Sequence, residues 1–164
     1  MKLKQPVTIN VVAEIVVRNV DTGEEVRYTT SNIMTNAGLA EIASHWVSPW
    51  QMPNGYGYVM EVGSGTGTPT ANDTSMFSPL PQCFTYTSPT ITANQVQFSV
   101  AYLPSQCNGY TFQEAGIAFP AQIANQGQAN ASVTGTLVDH LVFPTAINKT
   151  ASIYLQIIIT FIIV

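Results

Sequence analysis

Ile153-Tyr154-Leu155-Gln156-Ile157-Ile158-Ile159-Thr160-Phe161-Ile162-Ile163-Val164 is the stretch that decides the fold. Every second residue from Ile153 to Ile163 is apolar, which is the period of a strand with one buried face. A membrane helix needs about 20 apolar residues, and this run is shorter and broken by Gln156 and Thr160. Its opposite face is also apolar towards the end, at Ile158, Ile162 and Val164. A solvated antiparallel strand alternates apolar with polar. This one therefore calls for a second layer, from the same chain or from a neighbouring subunit, and Ile158, Ile162 and Val164 become the first interface candidates.

The same period recurs upstream. Val7, Ile9, Val11, Ala13, Ile15 and Val17 line one side of a long N-terminal strand. Asp21-Thr22-Gly23 turns the chain back into a second strand over 24–30, making a hairpin. This hairpin, within 1–30, either stays with its own domain or is exchanged with or packed on a neighbouring subunit. Leu39, Ile42, Ala43 and Trp46 follow a cap at Thr35 or Asn36 with helical spacing, so one short helix is expected near 36–47. Further strands are expected over 58–62, 84–87, 95–103, 111–119, 133–143 and 152–163, separated by Pro, Gly, Asn and Ser. The expectation is a mainly β protein: a single antiparallel sandwich over 1–164, Ig-like or jelly-roll-like, of seven or eight strands with one helix.

Charge is scarce. Charged residues make up 9 % of the chain, against about a quarter in ordinary soluble domains. No lysine or arginine occurs between Tyr28 and Asn148, while Glu41, Glu61, Asp73, Glu114 and Asp139 do. A surface that neutralises phosphates needs clustered cations, so nucleic acid is not an expected partner. Nor is a membrane, and no secretory signal is read at Met1-Lys2-Leu3-Lys4. A polar surface of low charge does little to keep copies apart.

The chemistry-bearing motifs are weak. Gly63, Gly65 and Gly67 alternate in Gly63-Ser64-Gly65-Thr66-Gly67-Thr68-Pro69, but no lysine follows, as a phosphate-binding loop requires, and no helix opens there. His45 and His140 are the only candidate bases for a nucleophilic site. His140 adjoins Asp139, yet neighbours on a strand point to opposite faces, so the two make a poor dyad. Glu61, Asp73, Glu114 and Asp139 carry no distinctive context for glycoside hydrolysis. Asp73 with Asn72 could hold calcium or form a local turn. Glu114 has two readings, an acceptor of backbone N–H groups or the partner of a cation such as Arg27. Trp50, Tyr56 and Tyr58, in or beside a Pro/Gly loop, are the candidates for stacking on a glycan. Cys83 and Cys107 are the only cysteines, either disulfide-bonded or two buried thiols. No catalytic residue, cofactor or metal is expected.

Four blocks in order suggest a relationship: Thr35-Asn36-Ala37-Gly38; Gly63 to Gly67 continuing through Pro69-Thr70-Ala71-Asn72-Asp73-Thr74; Glu114-Ala115-Gly116-Ile117; and Phe143-Pro144-Thr145-Ala146-Ile147-Asn148-Lys149-Thr150. The arrangement resembles that of small bacteriophage virion proteins of the tail-fibre-like, head-fibre or capsid-decorating type. The resemblance covers most of the chain after Ile33. It implies a structural, non-enzymatic virion protein that contributes to particle assembly and stability. It also implies a homo-oligomer, a trimer first, with the major capsid or tail protein as further partner. The glycine loop is then expected beneath a neighbour. The alternative is a receptor- or carbohydrate-binding tip of a fibre.

Overall fold

In the computed structural model, which describes residues 8–47 and 54–164, β11 (Ile153–Ile163) lies between β1 (Ile9–Asn19) and β7 (Gln95–Tyr102). It is antiparallel to both, with Ile157 opposite Ile15 on one side and Val100 on the other. β2 (Glu25–Ser31) extends this sheet beyond β1, and β6 (Thr90–Thr92) extends it beyond β7. We call this sheet A, of order β2-β1-β11-β7-β6. The N-terminal hairpin thus pairs with the chain's own β11.

Sheet B has the order β3-β10-β8-β4-β5, from β3 (Ile33–Met34), β10 (Leu137–Asn148), β8 (Thr111–Ala124), β4 (Gly57–Gly63) and β5 (Thr85–Thr87). β9 (Ser132–Thr134) pairs with the far end of β8. Ala13, Ile15, Leu155, Ile157 and Ile159 from sheet A meet Met60, Val62, Ala115, Ile117 and Leu141 from sheet B in one core. All are nearly inaccessible to water, which is what alternating strands achieve when two sheets stack. The expected antiparallel sandwich is the observed fold. It has more strands than expected because β3, β6 and β9 are pieces of two or three residues, too short to carry a period.

Two boundaries differ from the expected ones for identifiable reasons. The stretch 133–143 is not one strand: β9 ends at Thr134, and Gly135 passes so near β8 that a Cβ would stand 2.6 Å from the Pro120 carbonyl oxygen. The chain then resumes its pairing with β8 as β10, in the same register, with Val133 opposite Ile123 and His140 opposite Gly116. Pro144 does not end β10 but falls inside the gap in its pairing with β8, between Val142 and Ile147.

α1 (Asn36–Val47) starts where Thr35, fully buried, caps it. The Thr35 hydroxyl accepts the amide of Gly38 at 2.9 Å and donates to the Leu137 carbonyl. Gly38 lies directly against Val138 of β10, with no room for a Cβ. Ile42 then helps line an apolar cavity of about 240 Å³ between the sheets, whose described lining includes Tyr58, Phe98, Phe119 and Phe161. No helix of the described residues is long and apolar enough to cross a membrane.

Cys83 and Cys107 form a disulfide, joining the one-turn 3-10 helix Pro81–Cys83 to the β7–β8 loop. Nearby, Tyr102 donates its hydroxyl to the Cys83 carbonyl at 3.0 Å. Closing a loop of 24 residues lowers the entropy of the unfolded chain by an amount worth about 3 kcal/mol. The double variant Cys83→Ser/Cys107→Ser should therefore unfold at lower urea by roughly that much free energy, and reduction of the native chain should have the same effect. Equal midpoints in the two forms would contradict the assignment of a stabilising role to the bond.

Candidate functional site

Glu114 stands on β8 with its side chain on the side of sheet B away from the core. Gly116, two positions on, lies between Glu61 of β4 and His140 of β10 in the strand register. With no side chain at Gly116, Glu61 and His140 face one another across the middle strand. Over this face runs the segment from Ser64 to Ser78, the glycine loop and its continuation.

The segment is held by one carboxylate. Glu114 Oε1 accepts the amides of Gly65 at 3.0 Å and Ser78 at 2.7 Å, and Oε2 accepts that of Phe77 at 3.0 Å. Its fourth donor is His140 Nε2, at 2.9 Å. The other ring nitrogen, Nδ1, lies 2.7 Å from Asp73 Oδ2, and Asp73 belongs to the covering segment. The Phe77 ring rests against the imidazole with centroids 4.5 Å apart. His140 and Glu114 are fully buried, and the Asp73 side chain is 13 % exposed. Asp73 also accepts the Thr70 amide at 3.1 Å and the Thr70 hydroxyl at 2.7 Å.

The alternating glycines follow from this geometry. A Cβ at Gly63 would collide with the Glu114 carboxylate and stand 2.6 Å from the Ser78 carbonyl oxygen, and one at Gly65 would collide with Phe77 and Glu114. At Gly67 it would stand 2.6 Å from the Phe77 ring. The close neighbour that requires glycine is the chain itself. Gly63 and Gly65 are buried under their own loop.

Each charge is set by its surroundings. Burial would lower the His140 pKa, but the hydrogen bonds and charges of Glu114 and Asp73 prevail and raise it. Burial would raise Glu114, yet His140 and the three amides hold it below the ordinary value. Asp73 is lowered against burial by Thr70 and His140. Glu61 is pushed up to about 7 by burial, with His140 opposing and Glu114 reinforcing the rise. Asp139 points to the other side of the strand, as alternation requires. There it accepts the Ile117 amide at 2.7 Å and bonds to Asn32, and burial pushes it up to about 7.

The remaining candidates are placed as follows. Arg27 pairs with Glu14 and Glu25, so the backbone-amide reading of Glu114 is the correct one. Asp73 makes the local turn with Thr70, and among the described residues no cluster is arranged to hold a metal ion. Trp50 lies outside the described residues, as does the side chain of His45. Tyr58 is half-buried: it stacks on Phe119 at 4.1 Å and lies 4.9 Å from Phe98. Tyr56 is 38 % exposed. Ile158 and Ile162 are half-buried on the outward side of sheet A, and Val164 is exposed.

Lys149 was not singled out from the sequence. It is buried, and its ammonium donates to the carbonyls of Leu103 and Thr150 and to Asn108 Oδ1 at 2.9–3.1 Å. It secures the same β7–β8 loop that the disulfide reaches. A lone lysine at the end of a long cation-free stretch was the available signal.

Taken together, the Asp73–His140–Glu114 chain joins a covering segment to a sheet. Comparison with known protein families, with curated proteins and with solved structures returns no match.

Glu114→Gln places an amide where four donors converge and should cost about 3 kcal/mol of unfolding free energy, as breaking buried ion pairs does. A urea midpoint unchanged from the native protein would refute that role. Asp139 has a raised value, so the folded state keeps a proton that the unfolded state releases. Its contribution is complete below the ordinary value of 3.8 and falls as pH rises towards about 7. Asp139→Asn should therefore gain relative to the native protein across that window, with no further change above it.

Proposed function

We propose that this protein is a structural component of a virus particle: a homo-oligomeric β-sandwich subunit on the outside of a capsid or on a tail, contributing to assembly and stability. Its partners are copies of itself and other virion proteins, such as the major capsid or tail protein. The observation that carries this reading is the outward side of sheet A. Rows such as Asn10–Ile162–Gln95–Thr92 and Val12–Thr160–Gln97–Thr90 cross four strands without a charge. Val12 is 37 % and Val164 62 % exposed, and Ile158 and Ile162 are covered only in part.

Charge is confined to one corner of that face. There Arg18 pairs with Glu25, and Arg27 with Glu14 and Glu25, so the corner is internally neutralised. Desolvating the remainder removes no ion from water, and apolar area contributes about 25 cal/mol per Å² buried, less the costs of association. A specific interface buries about 1,200–2,000 Å² in all. Three such faces turned towards a threefold axis would supply it, so a trimer is the assembly we place first. The four ordered blocks, which resemble those of phage virion proteins, support the viral setting. The stacking of Tyr58 removes one ring from the glycan platform, so assembly stands ahead of the receptor-binding reading.

Sedimentation of the purified chain at micromolar concentration is expected to give a trimer, and Ile158→Lys/Ile162→Lys a folded monomer. A native chain that sediments as a monomer would overturn the oligomer. An antibody to the chain should label the surface of purified virus particles, and bare particles would overturn the viral assignment.

A further inference from the structure

The imidazole of His140 has a carboxylate at each end, Asp73 on Nδ1 and Glu114 on Nε2. A neutral imidazole owns one N–H. It can donate to one of these carboxylates, and its other nitrogen then sets a lone pair against the second. The arrangement is complete in a single state, the doubly protonated ring. No lysine or arginine between Tyr28 and Asn148 can replace the charge once it is lost. The groups that face the ring are Asp73 from the covering segment, Glu114 from β8 and Glu61 from β4, while Asp139 turns to the opposite side.

The two carboxylates grip the segment differently. Glu114 holds its root through the amides of Gly65, Phe77 and Ser78, bonds that do not involve the ring. Asp73 bonds to sheet B through His140 and otherwise to Thr70 within its own turn. The tip around Asp73 also meets the start of α1. Ala71 accepts the Asn36 amide at 2.7 Å, and Asn72 accepts the Asn36 side chain at 2.9 Å.

We propose that the Asp73–His140–Glu114 chain is a proton-operated latch with two stages. Loss of the ring proton on the alkaline side of its ordinary value frees the tip of the segment, residues 68–74, while Glu114 keeps the root in place. Protonation of Glu114 in acid frees root and tip together. The signs follow from linkage. A histidine whose value is raised on folding contributes fully below its ordinary value, and the contribution disappears as pH rises through the folded one. Carboxylates whose values are lowered contribute above their ordinary values and fail as pH falls through the folded ones. The latch is closed between these limits.

Methyl and ring resonances of the native chain test this across the full pH range. Below the ring's ordinary value of 6.5 both His140 nitrogens are expected to carry protons. On raising pH, the Ala71 methyl should move to its unstructured position together with loss of the ring charge, while the Met76 methyl, near the root, stays. On lowering pH both should move together. Asp73→Asn should lose the alkaline step at Ala71 and keep the acid step. A singly protonated ring below its ordinary value of 6.5, joint movement of Ala71 and Met76 on raising pH, or an alkaline step that survives in Asp73→Asn would each overturn the proposal.

Discussion

One buried carboxylate organises the outer half of sheet B. Glu114 sits in a part of the chain without lysine or arginine, so its charge is met by three backbone amides and the His140 ring. Those amides belong to the segment that crosses the sheet, and accommodating the carboxylate beneath the loop leaves Gly63 and Gly65 no room for side chains. That ring brings in Asp73, and the turn around Asp73 meets the first residue of α1. A charge whose removal from water would be costly becomes the point at which loop, helix and sheet are joined.

The strands were legible because inward alternation is a long signal. β1, β7, β8, β10 and β11 each run for eight or more residues, which is enough for a period to show. β3, β6 and β9 were not, because their pairing is set by what lies beside them. The helix was legible from its cap and spacing, with Thr35 rather than Asn36 as the capping residue. The disulfide was left open because cysteine spacing alone does not bring two sulfurs together.

The acid cluster was half legible. Glu114 as an acceptor of amide hydrogens could be anticipated from its uncharged surroundings. His140 was judged against Asp139, its neighbour in sequence, and that pair does point apart. Its partner is Asp73, in a loop 67 residues away. Charge arithmetic held the better clue: in a stretch with several carboxylates and no lysine or arginine, the one side chain of that stretch that can offer a buried acid a positive charge is a histidine. The alternation of the glycine loop was legible, but not what it packs against within the chain, since Glu114 and Phe77 lie beside it only in the fold.

The position of β11 bears on how the chain is made. β1 and β7 are its partners within sheet A, yet β11 leaves the ribosome after both. Until it emerges, β1 and β7 each present an open edge and a bare apolar side, and the sheet has no middle. Closing it requires contacts between residues as distant as Ile9 and Ile163, an entropically demanding step that makes folding slow. Nascent chains are thus exposed to edge-to-edge mispairing with their siblings until β11 emerges, and chaperone cover over that interval would govern yield.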